Sequence, residues 1–301
     1  MQPGQPLRIV AEQPWNAQGL DCDGGACGFA FDAPLRFKFD RWLLPSTAVR
    51  QSISLRTEGT QLGVFLFPEY DVTARALSYR PETALAPDTV YLLTVIEADE
   101  DANGFGFRAY DGKSLSSSQT FAFRTSSMRS PISATDASSK PNCSAVLTAL
   151  QKAGCAAASC HGSDSPRMGL SLDSVAGLQR TAIDHVAHQS QLGTEVTQQV
   201  VSGGRFGTQM PIIDSGRPEN SYLMYKLLIG SWLNREMDTL TDPTDPFAAS
   251  GLTPGQIEDA RAWFVEFGPM PPDNVGYPDG VSPLEFVTTV QGWIRAGAVC
   301  P

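Results

Sequence analysis

The sequence predicts two domains of different class, an all-β antiparallel sandwich followed by an all-α domain. Apolar residues alternate with period 2 up to about residue 125 and recur with period 3.6 from Asn142 onward. Between the two patterns lies a stretch rich in Ser, Pro, Ala and Thr with few large apolar residues, which is linker composition. The length, 301 residues, suits two domains at roughly 150 residues each. The expected boundaries are 1–127 for the sandwich, 128–141 for the linker and 142–301 for the helical domain.

The strands come first. Leu35-Arg36-Phe37-Lys38-Phe39 and Gln51 to Arg56 alternate apolar and polar residues. Shorter runs follow at Leu62 to Phe67, Val72 to Tyr79, Val90 to Ile96 and Thr120 to Arg124, separated by turn residues such as Glu58-Gly59 and Asp111-Gly112. Leu85-Ala86-Pro87-Asp88-Thr89-Val90-Tyr91, Leu92 to Val95 and the closing Phe121-Ala122-Phe123-Arg124-Thr125 resemble bacterial immunoglobulin-like domains of surface and secreted proteins. The resemblance implies a corner tyrosine, Tyr91, whose hydroxyl bonds backbone upstream. It implies a fold and no particular function.

The helices follow. Asn142 is an N-cap, Val146, Leu147 and Leu150 form an apolar stripe, and Gly154 ends the helix. A second helix is predicted from Leu172 to about His185, and a third after Arg217-Pro218-Glu219-Asn220. Thr253-Pro254-Gly255-Gln256 starts a fourth, with Thr as cap, Pro in the first turn and Gln closing the box. Ser282-Pro283-Leu284-Glu285 starts a fifth by the same logic. Long Gly- and Pro-containing loops separate them, so the regular core is small for the length.

Charge and hydropathy exclude several partner classes. Lys+Arg number 22 and Asp+Glu 32, a net charge of 22 − 32 = −10. An acidic chain cannot supply a surface that neutralises phosphates, so nucleic acid is not expected as a partner. No run approaches the ~18 uninterrupted apolar residues of a membrane helix, so no transmembrane segment is expected. The opening Met-Gln-Pro-Gly-Gln-Pro-Leu has neither a basic nor an apolar leader region and is not a signal peptide.

Cysteine and histidine are scarce, six and three residues respectively. Cys22 and Cys27 flank a short Gly-containing stretch that can bring their sulfurs together, and Cys143 and Cys300 sit near the two ends of the second half. Their spacing suits structural disulfides, which persist outside the cytosol, and points to a periplasmic, cell-surface or extracellular protein. Four buried free thiols in a cytosolic protein are the alternative.

The most informative stretch is Cys155-Ala156-Ala157-Ala158-Ser159-Cys160-His161-Gly162. Covalent haem needs two thiols to add across the porphyrin vinyls and an adjoining imidazole to reach the iron, usually as C-x-x-C-H. Here four residues separate the thiols. The extra pair must bulge outward, while Cys160 and His161 keep their relation. A local Cys155–Cys160 disulfide and a zinc site using Cys155, Cys160, His185 and His188 are the other readings. The His185-x-x-His188 spacing is shorter than zinc sites usually show.

Motif context ranks haem first. Gly169 to Asp173, Gly216-Arg217-Pro218-Glu219-Asn220-Ser221-Tyr222-Leu223, Met270-Pro271-Pro272 and the final Gly292-Trp293-Ile294-Arg295-Ala296-Gly297-Ala298 follow in order. Together they resemble the planctomycete-type cytochrome c modules of large bacterial exported proteins, over about residues 142 to 301. The Cys spacing and an inserted segment from about Asp238 to Gly268 depart from that pattern. The resemblance implies an exported mono-haem c-type cytochrome, with one covalent haem c on Cys155 and Cys160, His161 as proximal iron ligand and Met270 as sixth ligand. Met210, before Pro211, and His185 or His188 are the alternative sixth ligands. The work implied is electron transfer rather than enzyme catalysis, with the first domain as spacer or docking module and a redox protein with a basic docking face as partner. A haem-free, disulfide-stapled surface or adhesion protein and a peroxidase-like haem enzyme are the alternatives.

A weaker candidate is calcium at Asp99, Asp101 and Asn103, in Asp99-Glu100-Asp101-Ala102-Asn103-Gly104. The closing bidentate Glu is missing, with Tyr110 in its place, and an acidic hairpin turn is the preferred reading.

Overall fold

A computed structural model describes residues 5–21, 27–98, 105–130, 141–164, 166–187, 210–242, 244–265 and 268–301. The chain divides into two compact units, the first carrying most of the residues before Ser138 and the second most of those after it. Most of the Ser/Pro-rich stretch at 128–141, and the acidic Asp99, Asp101 and Asn103, lie outside the described residues.

Among its described residues the first unit holds eight strands: β1 (Ile9–Gln13), β2 (Phe29–Ala30), β3 (Leu35–Phe39), β4 (Ile53–Thr57), β5 (Leu66–Asp71), β6 (Ala76–Pro81), β7 (Val90–Val95) and β8 (Gln119–Ser126). They form two four-stranded sheets, ordered β1-β3-β6-β5 and β2-β8-β7-β4. Alternation sets which face is buried. On β3 Leu35, Phe37 and Phe39 are buried, on β7 Tyr91, Leu93 and Val95 are, and on β8 Phe121 and Phe123 are. Residues from both sheets join one apolar cluster. The Tyr91 hydroxyl accepts the Ala86 N–H at 2.9 Å, five residues upstream, as the corner role requires.

Among its described residues the second unit holds six helices: α1 (Cys143–Lys152), α2 (Val175–Thr181), α3 (Tyr222–Leu228), α4 (Ser231–Leu240), α5 (Pro254–Trp263) and α6 (Pro283–Arg295). The caps are those the side chains dictate. Asn142 accepts the Ala145 amide at 2.9 Å, Thr253 and Gln256 form a reciprocal capping box, and Ser282 accepts the Glu285 amide. Glu236 on α4 reinforces the start of α6, accepting Ser282 Oγ and the Leu284 amide at 2.6 and 2.7 Å. Phe286, Val287, Val290, Trp293 and Ile294 carry the buried face of α6.

The expected fold class is corrected. Helix (27%) and strand (22%) contribute about equally, in two small sheets and six helices, and the chain is not an all-β domain followed by an all-α one. Short 3₁₀ turns at Pro45–Thr47 and Arg50–Ser52 interrupt the strand region, and β2 pairs with β8 in parallel. In the second unit helix α2 stops at Thr181, well short of His185, because the chain next enters bridges Ile183↔Ile213 and Val186↔Pro211. Backbone pairing between distant segments competes there with the local helical pattern and wins.

A disulfide joins Cys143, at the start of α1, to Cys300 beyond α6 across 157 residues of sequence. Cys27 is also disulfide-bonded, and Cys22 lies outside the described residues. Replacing Cys143 and Cys300 together by Ser is expected to lower the unfolding free energy by ~2–5 kcal/mol in a non-reducing denaturant titration. Equal midpoints for the two proteins would contradict this.

Candidate functional site

The site grows from the C-terminal end of α1. Gly154 takes a left-handed φ of +75°, which turns the chain out of the helix at low cost. The amides of Cys155 and Ala156 then both bond the Leu150 carbonyl, at 3.0 and 3.3 Å. The residues between the thiols close into a compact turn: the Ala157 carbonyl accepts the amides of Cys160 and Gly162 at 2.8 and 3.0 Å, and the Cys155 carbonyl accepts the His161 amide at 3.1 Å. Gly162 suits this closure, since a Cβ there would lie 3.0 Å from the Ala158 Cα and crowd the turn. The longer spacing is therefore absorbed locally.

The following loop is pinned back onto the turn. Arg167 N–H donates to the Cys160 carbonyl at 2.9 Å and Leu172 N–H to the His161 carbonyl at 2.7 Å. Asp173 accepts the Ser163 amide and the Ser171 hydroxyl at 2.7 and 2.9 Å, and these bonds to its charged form hold its carboxyl down at about 2.

A cavity of about 380 Å³ opens beside this turn. Cys155, Cys160 and His161 line it together with Met270, Pro271 and Pro272. Apolar side chains such as Leu150, Leu170, Leu223, Leu227 and Phe286 supply much of the remaining wall. Among the described residues, Arg167 and Lys226 are its cationic lining residues and no carboxylate joins them. Met168 stands at the cavity with 69% of its surface exposed.

Electrostatics follow from burial. Desolvation, reinforced by neighbouring Cys160, pushes the Cys155 thiol up to about 12, so it stays protonated at neutral pH. Burial lowers the His161 pKa, aided by the Arg167 and Lys226 charges against the raising effect of the Leu170 and Arg167 backbone. His161 is thus neutral at pH 7 and has a ring lone pair to offer. Its Nδ1 is buried and meets no hydrogen-bond partner. Cys155 and Cys160 are both free thiols.

The other sequence-derived candidates lie elsewhere. Met210 is buried but does not line the cavity. His185 is exposed and its Nε2 faces the Gln179 carbonyl at 3.3 Å. His188 lies outside the described residues. Among the described residues no three His, Cys, Asp or Glu side chains cluster as metal ligands, which gives the zinc reading no assembled site. Sequence reasoning missed exposed Arg167 and buried Lys226, because which side chains line a cavity depends on tertiary packing and leaves no local pattern.

No family model and no curated protein matches the chain. Among solved structures, that of the S-layer protein rSbsC(31-844) is similar over 42% of this chain and 14% of its own, at 12% identity and TM-score 0.28. The structure of surface layer protein SbsC, domains 1-6, is similar over 40% and 14%, at 10% identity and TM-score 0.28. This chain therefore spans about one seventh of the length of each. No helix among the described residues is long and apolar enough to cross a membrane.

Asp173 makes the loop's rigidity pH-dependent. Because its folded pKa lies below the ordinary 3.8, the stabilisation is present above about pH 4 and is lost as pH falls through about 2. Asp173→Asn is expected to lower the denaturant midpoint at pH 7 and to match the parent protein near pH 2. An equal deficit at both pH values would contradict the charge-dependent tie.

Proposed function

We propose that the second unit is a mono-haem c-type electron carrier of an exported protein, as its resemblance to planctomycete-type cytochrome c modules implies. The observation that carries this reading is the convergence of Cys155, Cys160, His161 and Met270 on one largely apolar cavity. The donor set suits the group. Two free thiols stand beside a neutral imidazole, while Cys143 and Cys300 are already paired. Arg167 and Lys226 are chemically matched to the two propionates of a haem, and the cavity volume falls in the ~300–1,000 Å³ range of small-molecule sites.

Cys155 and Cys160 would tether the porphyrin as thioethers, for which a buried, protonated Cys155 is no obstacle once the bond is formed. His161 would hold the iron from one side through its lone pair. Met270, on a loop stiffened by Pro271 and Pro272, would hold it from the other, in preference to Met210 or His185. Bound there, haem c supplies an iron that exchanges single electrons, and Met ligation raises its potential. The apolar wall excludes water and favours outer-sphere electron exchange over substrate chemistry. With His161 and Met270 both engaged in holding the iron, the unit would act as a carrier rather than an enzyme.

The disulfide-bonded Cys143, Cys300 and Cys27 support a periplasmic or cell-surface setting. The net charge of −10 would steer a basic redox partner toward the chain. The first unit then serves as a spacer or docking module.

A preparation exported through a cytochrome-maturing host should show a Soret band. Met270→Ala should keep that band and lose the Met-to-iron absorption. A Met270→Ala spectrum identical to the parent's would hand the sixth position to another residue. A colourless parent protein would end the haem reading.

A further inference from the structure

Lys226 is a buried cation in an acidic protein, on the last turn of a seven-residue helix whose every residue is buried. Burying an ammonium costs several kcal/mol unless it is well paired. Its Nζ donates to the Gly268 carbonyl at 2.7 Å, and its own backbone carbonyl accepts the Met270 amide at 2.9 Å. The two bonds straddle Pro269, so one residue grips the loop from both sides immediately before the Met270 side chain enters the cavity. A second tie lies three residues on: Asp273 accepts the Ser231 amide at 2.9 Å and Arg261 Nη2 at 3.1 Å, and its carbonyl accepts Trp232 Nε1. Asp273 is partly exposed, whereas Lys226 lines the cavity itself with 5% of its surface accessible.

We propose that Lys226 is the positioning residue for Met270, holding its loop so that the sulfur is presented to the group bound against His161. The inference rests on the haem reading for its ligand and on the hydrogen bonds for its geometry. A side-chain change deletes the ammonium half of the grip and leaves the backbone half unsupported, so that the Met270 amide bond opens more often. A neutral side chain at position 226 should therefore let the loop fluctuate and the sulfur leave.

Lys226→Met, which keeps an unbranched apolar stem, tests this in the full chain by absorption, potentiometry and hydrogen exchange. The expected result is retained covalent haem with loss of the Met-to-iron absorption, a lowered reduction potential and faster exchange of the Met270 amide. In a Met270→Ala background the same substitution should shift the potential little further, because both changes remove one interaction. A Lys226→Met protein with parental absorption and exchange overturns the proposal. So does a potential shift that persists undiminished in the Met270→Ala background, since that marks a pure charge effect. Where Lys226→Met does not fold, Lys226→Gln decides alone: weakened Met-to-iron absorption and faster Met270 exchange support the grip, and parental values overturn it. Absence of haem mass from the parent protein would mark failure of the haem reading, whereas the exchange measurement still reports on the loop.

Discussion

The Cys155 carbonyl accepts the His161 amide at 3.1 Å, and the geometry of the second unit's cavity depends on that closure. Without it, the four residues between the thiols, two more than in C-x-x-C-H, would separate Cys155 from the Cys160–His161 pair by an open loop of high conformational entropy. With it, Ala156 to Ser159 fold over themselves, and both sulfurs and the imidazole line one wall. The turn is anchored upstream by the Leu150 carbonyl at the end of α1 and downstream by the Arg167 and Leu172 amides. Helix α1 is in turn fastened to the chain's end by the Cys143–Cys300 bond. The strict C-x-x-C-H spacing is one way to bring these groups together, and a self-bonded longer turn is another.

Met270, which lines the same cavity, is placed by contacts of a different kind. Its loop belongs to no helix or strand and is held through Lys226 and Asp273 to α3, α4 and α5. The thiols and imidazole are thus set by bonds within about twenty residues of sequence, whereas the ties from Lys226 and Ser231 to the Met270 loop each span 42. Such a division suits a two-sided ligand site in which one side is covalent and permanent and the other can be tuned. Arg167 and Lys226 supply positive charge to this cavity in a chain that is otherwise acidic.

Local chemistry was legible in the sequence. Asn142, the Thr253–Gln256 box and Ser282 mark helix starts through side chains that reach one turn ahead, and the structure carries each cap. Alternation on β3, β7 and β8 likewise shows in which residues are buried. Long-range pairing was not legible. β1 and the two-residue β2 exist because partners far along the chain complete their hydrogen bonds, and α2 ends where residues 183 and 186 bridge to 213 and 211. Helix α4, with Leu233 and Met237 one turn apart as its apolar stripe, carried a signal too short to separate from the loops around it. These same non-local pairings remove the clean all-β and all-α division that periodicity suggests. At the site, the scarcity of histidine makes His161 conspicuous, whereas nothing in the local pattern at Lys226 announces a buried cation.

The central claim, that Cys155, Cys160 and His161 form a covalent haem site, is tested most directly by intact-mass and peptide-mapping measurements on the denatured, disulfide-reduced chain exported from a cytochrome-maturing host. The account predicts one added haem mass per chain, carried on the peptide that contains Cys155 to His161. A chain of unmodified mass with both thiols free, or joined to each other before reduction, would contradict it.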